Sequence, residues 1–232
     1  MAEEKAKRYV ENSAPDDARA YSRGYEAHRV GISMQECVEY YSKWAENGKY
    51  DQDLCSKRYR GPVIAANVLT EHFCDKIPET KILDVATGTG LVGKELQARG
   101  FKHLDALEPA TGMLEQARKT NIYTNLYCEF LDGKRLPIED DTYNCCVTSG
   151  GMGEGHIPCH GLHELIRITK PGGLICIVMR EEYLTHVKEY HERLEPLMKK
   201  LEDDGKLKQL SREIVSRYSY DNNGVVYKLQ IC

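Results

Sequence analysis

The sequence predicts an α/β fold, a parallel sheet wrapped on both faces by helices, and three observations carry that expectation. Short apolar runs alternate with segments of helical spacing from residue 81 to residue 180, the pattern of repeated strand–helix–strand units. A glycine-rich stretch, Thr87-Gly88-Thr89-Gly90, follows the first apolar run, where a tight strand-to-helix turn needs residues that tolerate positive φ. The chain has 232 residues, 41% of them hydrophobic and 29% charged. That is enough for one full-sized domain and too little for two comparable ones.

The elements follow in order. Residues 1–79 are polar and helix-prone. Residues 34–46 place Met34, Val38, Tyr41 and Trp44 at helical spacing, and residues 62–73 repeat the pattern after Gly61-Pro62. These helices are expected to cap the rest, so that a cap or lid region over 1–79 and a core over 80–232 form one structural domain. In the core, strands are expected at 82–86, 104–107, 126–131, 143–148 and 174–179, and helices at 90–99, 112–119 and 160–169. Lys170-Pro171-Gly172-Gly173 ends the last of these helices. Beyond Arg180 one long helix is expected over 182–202. Strands at 214–220 and 225–231 then flank Asp221-Asn222-Asn223-Gly224, a hairpin signal that adds an antiparallel pair at one sheet edge.

Composition narrows the partners. A net charge of −4 speaks against a strong hold on nucleic-acid phosphates and favours a small or neutral substrate. No apolar run reaches the roughly 18 residues of a membrane helix. The charged start, with Glu3, Glu4, Lys5 and Lys7, lacks the apolar stretch of a secretory signal. A cytoplasmic protein, monomeric or weakly dimeric, is expected. Nine cysteines without a C-x-x-C pair read as reduced thiols.

The glycine loop raises a choice of cofactor. Gly88-Thr89-Gly90-Leu91-Val92-Gly93 has the G-x-G-x-x-G spacing of a dinucleotide loop, but Asp84 stands four residues ahead of Gly88. A nicotinamide-binding strand is apolar up to the first glycine, because a nearby carboxylate repels the pyrophosphate. An acid suits instead a cofactor with a cationic centre and an ammonium group, such as S-adenosylmethionine. Asp84-Val85-Ala86-Thr87-Gly88-Thr89-Gly90 resembles motif I of the class I S-adenosylmethionine-dependent methyltransferases, with Ala86 where the first glycine is commoner.

Three later stretches match that family in order. Glu108 ends the second strand 20 residues after Gly88, where a carboxylate takes the two ribose hydroxyls. Glu108-Pro109 followed by Met113-Leu114 is similar to the family's acid, turn and Met-Leu helix. The resemblance implies Met113 near the adenine, although a core methionine fits the same pattern. Leu131-Asp132-Gly133 and Leu136-Pro137 match the family's third-strand region, which implies Asp132 as acceptor from the adenine amino group and neighbouring backbone reading the ring nitrogens. Lys170-Pro171-Gly172-Gly173 matches the turn into the fifth strand. The resemblance implies a Rossmann-like, doubly wound seven-stranded sheet in the order 3-2-1-4-5-7-6, strand 7 antiparallel, under an N-terminal helical lid. S-adenosyl-L-methionine would be the donor and S-adenosyl-L-homocysteine the product.

A narrower likeness lies in Tyr40-Tyr41-Ser42-Lys43-Trp44, Tyr50-Asp51, Tyr59-Arg60-Gly61-Pro62 and Gly155-His156-Ile157-Pro158-Cys159. These are similar to the Williams-Beuren syndrome critical-region methyltransferase-like group, whose acceptor is undefined. A sulfonium is a cation, so Tyr41, Trp44 or Tyr59 could set a ring or hydroxyl beside it, and Arg60 could pair with the carboxylate of the methionine tail. The same aromatics at helical spacing also fit plain packing.

Methyl transfer is an in-line displacement at an activated carbon, so positioning and water exclusion suffice and no protein nucleophile is required. The loop after the fourth strand, from Ser149 through Glu154 to His156, lies where a doubly wound sheet opens its ligand crevice. Ser149 joins the expected cofactor set, and His156 with Glu154 is the acid/base candidate; a loop histidine without catalytic duty is the alternative. The Asn/Asp-Pro-Pro-Tyr/Phe signature is missing, which makes adenine, cytosine and glutamine amides poor acceptors. His156, Cys159, His160 and His163 crowd together, yet no second pair stands at zinc spacing, and no metal is expected. The reading is methyl transfer to an unidentified, small acceptor. Its alternatives are a cofactor-binding, non-catalytic scaffold and an NAD-dependent dehydrogenase.

Overall fold

The computed structural model describes the backbone of residues 2–232 and the side chains from residue 7 onward. At its centre β1 (Lys81–Val85) pairs in parallel with β2 (His103–Leu107) on one side and β4 (Tyr143–Ser149) on the other. β3 (Leu126–Tyr127) adds to β2, and β5 (Thr169–Arg180) adds to β4, again in parallel. β7 (Asn222–Ile231) joins β5 antiparallel and β6 (Leu207–Ser219) closes the edge. The order β3-β2-β1-β4-β5-β7-β6 is the expected one.

Alternation along β1 sends Ile82 to one core and Leu83 and Val85 to the other. On the first face lie α5 (Gly61–His72), α6 (Leu91–Ala98) and α7 (Thr111–Lys119), through Leu69, Leu96 and Leu114. On the second lie α8 (Gly161–Ile168), α9 (Tyr183–His186) and α10 (Leu194–Asp203), through Leu165, Tyr183 and Met198. Each fully buried leucine contributes about 2 kcal/mol. Both faces are needed, because a parallel sheet has no solvated side.

Five elements depart from expectation, the first being β6, which starts at Leu207 and not at 214 because β7 pairs with it along that length. β3 stops at Tyr127 because β2 ends at Leu107, its pairing partner, and residues 128–131 have no strand to bond. The helix expected over 182–202 is two short ones: Val187 is extended, Glu192 takes φ +53°, and the restart at Leu194 leaves Pro196 in a first turn where its missing N–H costs nothing. The break seats the Tyr190 hydroxyl between Gly153 N, which donates to it at 2.9 Å, and Ile157 O, which accepts from it at 2.7 Å. The Lys170–Gly173 turn becomes a bulge inside β5, since Tyr143 pairs with Thr169 and Cys145 with Leu174. The hairpin turns at Tyr220-Asp221, with Ser219 opposite Asn222, three residues before the Asn223-Gly224 pair of the expected signal. Gly224 sits within β7, where a Cβ would lie 2.8 Å from that of Tyr218.

Before the sheet come α1 (Ala2–Asn12), α2 (Pro15–Glu26), α3 (Met34–Trp44) and α4 (Lys49–Asp53). A capping box between Ser33 and Glu36 starts α3. Asp53 ties the group together, accepting from Arg23, Lys49 Nζ (2.8 Å) and Trp44 Nε1 (2.8 Å). The cap reaches the sheet edge through Arg60 N to Tyr218 O (2.8 Å) and Tyr220 N to Arg58 O (2.7 Å). It reaches the other half of the sheet where Ser42 of α3 packs on Gly112 of α7. Among the described residues no helix is long and apolar enough to cross a membrane.

Candidate active site

A cavity opens at the carboxyl ends of β1, β2 and β4, beneath α3. The turn from β1 to α6 forms its floor. Ala86, Gly88 and Gly90 all take positive φ (+53°, +59° and +91°). Thr87 braces them, donating from Oγ1 to Asp84 O (2.6 Å) and from its N–H to Leu107 O (3.2 Å). Ala86 in this conformation costs about 1 kcal/mol against glycine. A Cβ on Gly88 would meet nothing nearer than Tyr50 at 3.8 Å, so glycine there serves the backbone conformation rather than space.

Glu108, at the end of β2, is buried and lines the cavity. Its Oε2 accepts from Gly88 N at 2.9 Å and its Oε1 from Ala110 N at 2.8 Å. Burial pushes its carboxyl up to about 7, against the pull of those two N–H groups. Each oxygen keeps a second acceptor site for a ligand.

Asp84 stands elsewhere than its motif suggests. It shares the β1 face of Ile82, so its carboxylate points behind the loop toward α6, where Oδ2 accepts from Tyr123 Oη at 2.6 Å. Burial pushes it up to about 7 as well, against Tyr123 and the nearby Gly93 N–H. It braces the glycine loop and does not line the cavity.

The other expected residues divide in the same way. Tyr41, Ala86, Gly88 and Pro109 line the cavity, as do Met113, Leu131, Ser149 and His156. Thr87 and Gly90 shape the turn from outside it, with Gly90 against Tyr123. Trp44 and Tyr59 line a neighbouring chamber that shares Tyr41, Tyr50 and Gly150 with the first. Arg60 is exposed on the rim of α5 and touches neither, because its N–H is spent on β6 and its side chain points to solvent. Asp132 turns outward to Lys134 Nζ (2.6 Å) once residues 128–131 have left the sheet, and Gly133 is exposed beside the His160 ring. Glu154 sends its carboxylate to Gly31 N (3.2 Å), and only its carbonyl reaches His156.

Cys37, Val38, Tyr50 and Phe130, none of them assigned to the site from the sequence, also stand in the cavity wall. The first two share the α3 face of Tyr41 at i−4 and i−3, so the helical period that picked out Val38 extends to Cys37 and carries both to the site. For Tyr50 and Phe130 no periodic signal exists, since one lies in a one-turn helix and the other in irregular chain.

His156 has a defined tautomer. A carbonyl can only accept, so the 2.7 Å bond to Glu154 O places the proton on Nδ1 and leaves Nε2 to accept from Tyr41 Oη at 3.0 Å. Its ring stacks on His28 with centroids 4.3 Å apart. Burial lowers its pKa to about 4, so it is neutral at physiological pH. Its neighbours in sequence scatter: Cys159 Sγ donates to Glu189 O, and His160 Nε2 donates to Asp132 O. No cluster of three metal-ligating side chains forms among the described residues.

Residues 82–173 match the methyltransferase domain family. The human protein methyltransferase-like protein 27 is 37% identical over 179 residues, covering 77% of this chain and 71% of its own length. A demethylmenaquinone methyltransferase of Clavibacter sepedonicus is 38% identical over 99 residues, 42% of this chain and 40% of that protein. In fold the chain is similar to an S-adenosylmethionine-dependent methyltransferase of Leishmania major, with a TM-score of 0.59 at 15% identity and 89% of each chain covered. The dehydrogenase alternative is thereby set aside. Acid-tipped parallel strands, the glycine turn and this kinship together place the chain in the family of methyltransferase-like protein 27, among the class I S-adenosylmethionine-dependent methyltransferases.

Proposed function

We propose that the cavity under α3 holds S-adenosylmethionine and that the methyl acceptor is a small molecule. One observation carries the reading: the Glu108 carboxylate, buried, fixed by two backbone N–H groups and facing the cavity with acceptor capacity to spare. Neighbouring hydroxyls on one sugar ring are the group such a carboxylate suits. The rest of the wall fits the same ligand. Met113, Leu131 and Phe130 offer an apolar slot for a base, Pro109 closes its edge, and the loop from Ala86 to Gly88 offers backbone to a polar tail. Tyr41 and Tyr50 present rings beside a cationic sulfur.

Bound there, the cofactor supplies a methyl group on a sulfonium already activated for displacement. The protein's own part is to hold the acceptor in line and to keep water out, with residues 1–79 as lid over the core of residues 80–232. Neutral His156, with Nε2 as acceptor, and Tyr41 form a relay for any proton the acceptor releases. Ser149, bonded to Tyr59 Oη at 3.0 Å, fixes the loop after β4 between cavity and chamber. Asp84, Thr87 and Gly90 act by shaping the turn, whereas Arg60, Asp132, Gly133 and the Glu154 carboxylate have no contact with the ligand in this reading. The net charge of −4 supports a protein without strong nucleic-acid binding; a cytoplasmic location and a monomeric or weakly dimeric state complete the proposal.

The test incubates the protein with methyl-labelled S-adenosylmethionine and either a metabolite extract or a protein and RNA fraction. Label is expected in the metabolite arm, lost with Glu108→Ala. Label confined to macromolecules would overturn the acceptor class, and tight binding without label in any arm would restore the scaffold alternative.

A further inference from the structure

The neighbouring chamber has aromatic walls and one permanent cation. Trp44, Tyr59 and Tyr218 line it beyond the wall shared with the cofactor cavity, and Arg180, the last residue of β5, closes the unshared part. Among the described residues no carboxylate lines the chamber.

Arg180 is thinly held. Its side chain is 12% exposed, yet Nη1 lies 3.4 Å from Glu182 Oε1 and Nη2 lies 3.5 Å from Ser219 Oγ, with the Tyr183 ring 5.7 Å away. Both polar contacts stand at the outer limit of hydrogen-bond range, for a group with five donors. Three further groups lining the chamber have no hydrogen-bond partner among the described residues: Tyr183 Oη, Tyr220 Oη and His28 Nδ1. Tyr183 and Tyr220 are only 7% and 8% exposed. A buried donor left unpaired costs about 1–3 kcal/mol, so the Tyr183 hydroxyl close to the guanidinium, with that of Tyr220 on the same chamber wall, marks a site suited to a polar ligand rather than to packing alone.

The sign of that ligand follows from the charges. Among the described residues the acid paired with the guanidinium is Glu182, which does not line the chamber. An anion entering the chamber therefore meets a desolvated cation, held only loosely by Glu182, and hydroxyl donors, with no carboxylate on the chamber wall. The aromatic walls suit a flat body.

We infer that this chamber is the acceptor subsite and selects a small planar molecule bearing a carboxylate, whose anionic end pairs with Arg180 while its nucleophilic oxygen or nitrogen reaches the shared wall at Tyr41, Tyr50 and Gly150. The inference rests on the cofactor site proposed above. The acceptor's lone pair forms the new bond to the methyl carbon and displaces neutral sulfur with the electrons of the old bond. The proton freed from the acceptor passes by way of Tyr41 and His156 Nε2 to water.

Calorimetry on the full chain saturated with S-adenosylhomocysteine tests this with matched probes: benzoate against benzamide, 4-hydroxybenzoate against 4-hydroxybenzamide, and cinnamate against cinnamamide. At least one carboxylate is expected to bind about 10- to 100-fold more tightly than its amide, the span of a charge-assisted hydrogen bond. Arg180→Gln should reduce that carboxylate to the affinity of its amide, and Tyr220→Phe should weaken it less, with S-adenosylhomocysteine binding unchanged in both. Equal affinity within every pair, or no binding by any probe to the saturated wild type, overturns the inference even if Arg180→Gln does not fold. Failure of S-adenosylhomocysteine itself to bind would instead remove the cofactor site.

Discussion

Two buried acids, Asp84 and Glu108, both pushed up to about 7 by burial, do different work because of where their strands end. Glu108 faces the cavity, and its ionised form is the one that accepts from ligand hydroxyls. Cofactor affinity should accordingly fall about tenfold from pH 8 to pH 6, as the carboxylate takes up a proton. Glu108→Gln should lose about 10- to 100-fold in affinity for S-adenosylhomocysteine and most of that pH dependence, read by calorimetry across the pH range. An unchanged pH profile in Glu108→Gln would assign the dependence to another group. The same shifts bear on stability with a definite sign. Each acid holds its proton longer folded than unfolded, so the stability it contributes is present below the ordinary carboxylate range and is lost as pH rises toward 7. Glu108 and Met113 were legible because strand end and helix start fix their direction. Asp84 and Arg60 were not, because spacing names a position on a strand or cap but not the face it presents.

At the scale of elements, close approach of backbones decides how the cap meets the core. α3 crosses α7 at Gly112, where a Cβ would lie 2.6 Å from Ser42 O and 2.8 Å from Ser42 Cα. Neither neighbour is a flexible side-chain tip, so α3 itself would have to move. Gly112→Ala should thus lift α3, and with it Tyr41, from the cavity, raising the KM for S-adenosylmethionine severalfold. The overpacking should cost about 1–3 kcal/mol, lowering Tm by roughly 2–10 °C. A variant with wild-type KM would show that α3 does not depend on this contact. The alternation of strand and helix was plain in the sequence, because each strand is an apolar run bounded by turn residues. Element lengths were less so: β3 is short for want of a neighbour, and the helix after β5 breaks where Tyr190 is drawn under the Gly153 loop. Both limits come from partners distant in sequence, which local periodicity does not register.

Across the whole molecule the cap is bound at two separated places, to α7 at one side of the sheet and to the β6–β7 hairpin at the other, so it bridges the cofactor cavity and the chamber together. Asp53 is the joint of that bridge. Burial by itself would raise its carboxyl, but Arg23, Lys49 and Trp44 outweigh it and hold the group down to about 2. Its stabilising share is therefore present above the ordinary aspartate range and disappears as pH falls toward 2. Asp53→Ala leaves Trp44 Nε1 and the Arg23 guanidinium without their acceptor, at a cost of about 2–3 kcal/mol once the partial exposure of Arg23 and Lys49 is allowed for. Because the joint lies in the cap and not in the sheet, the loss should be local. Hydrogen exchange should quicken by about 30- to 100-fold in residues 20–54 and stay unchanged in β1, β4 and β5. Saturating S-adenosylhomocysteine should restore part of the protection, since a ligand held by both Glu108 and the α3 face stabilises only the closed cap. Uniformly faster exchange through the sheet would instead make cap and core a single cooperative unit, and the cap would then not move as a lid.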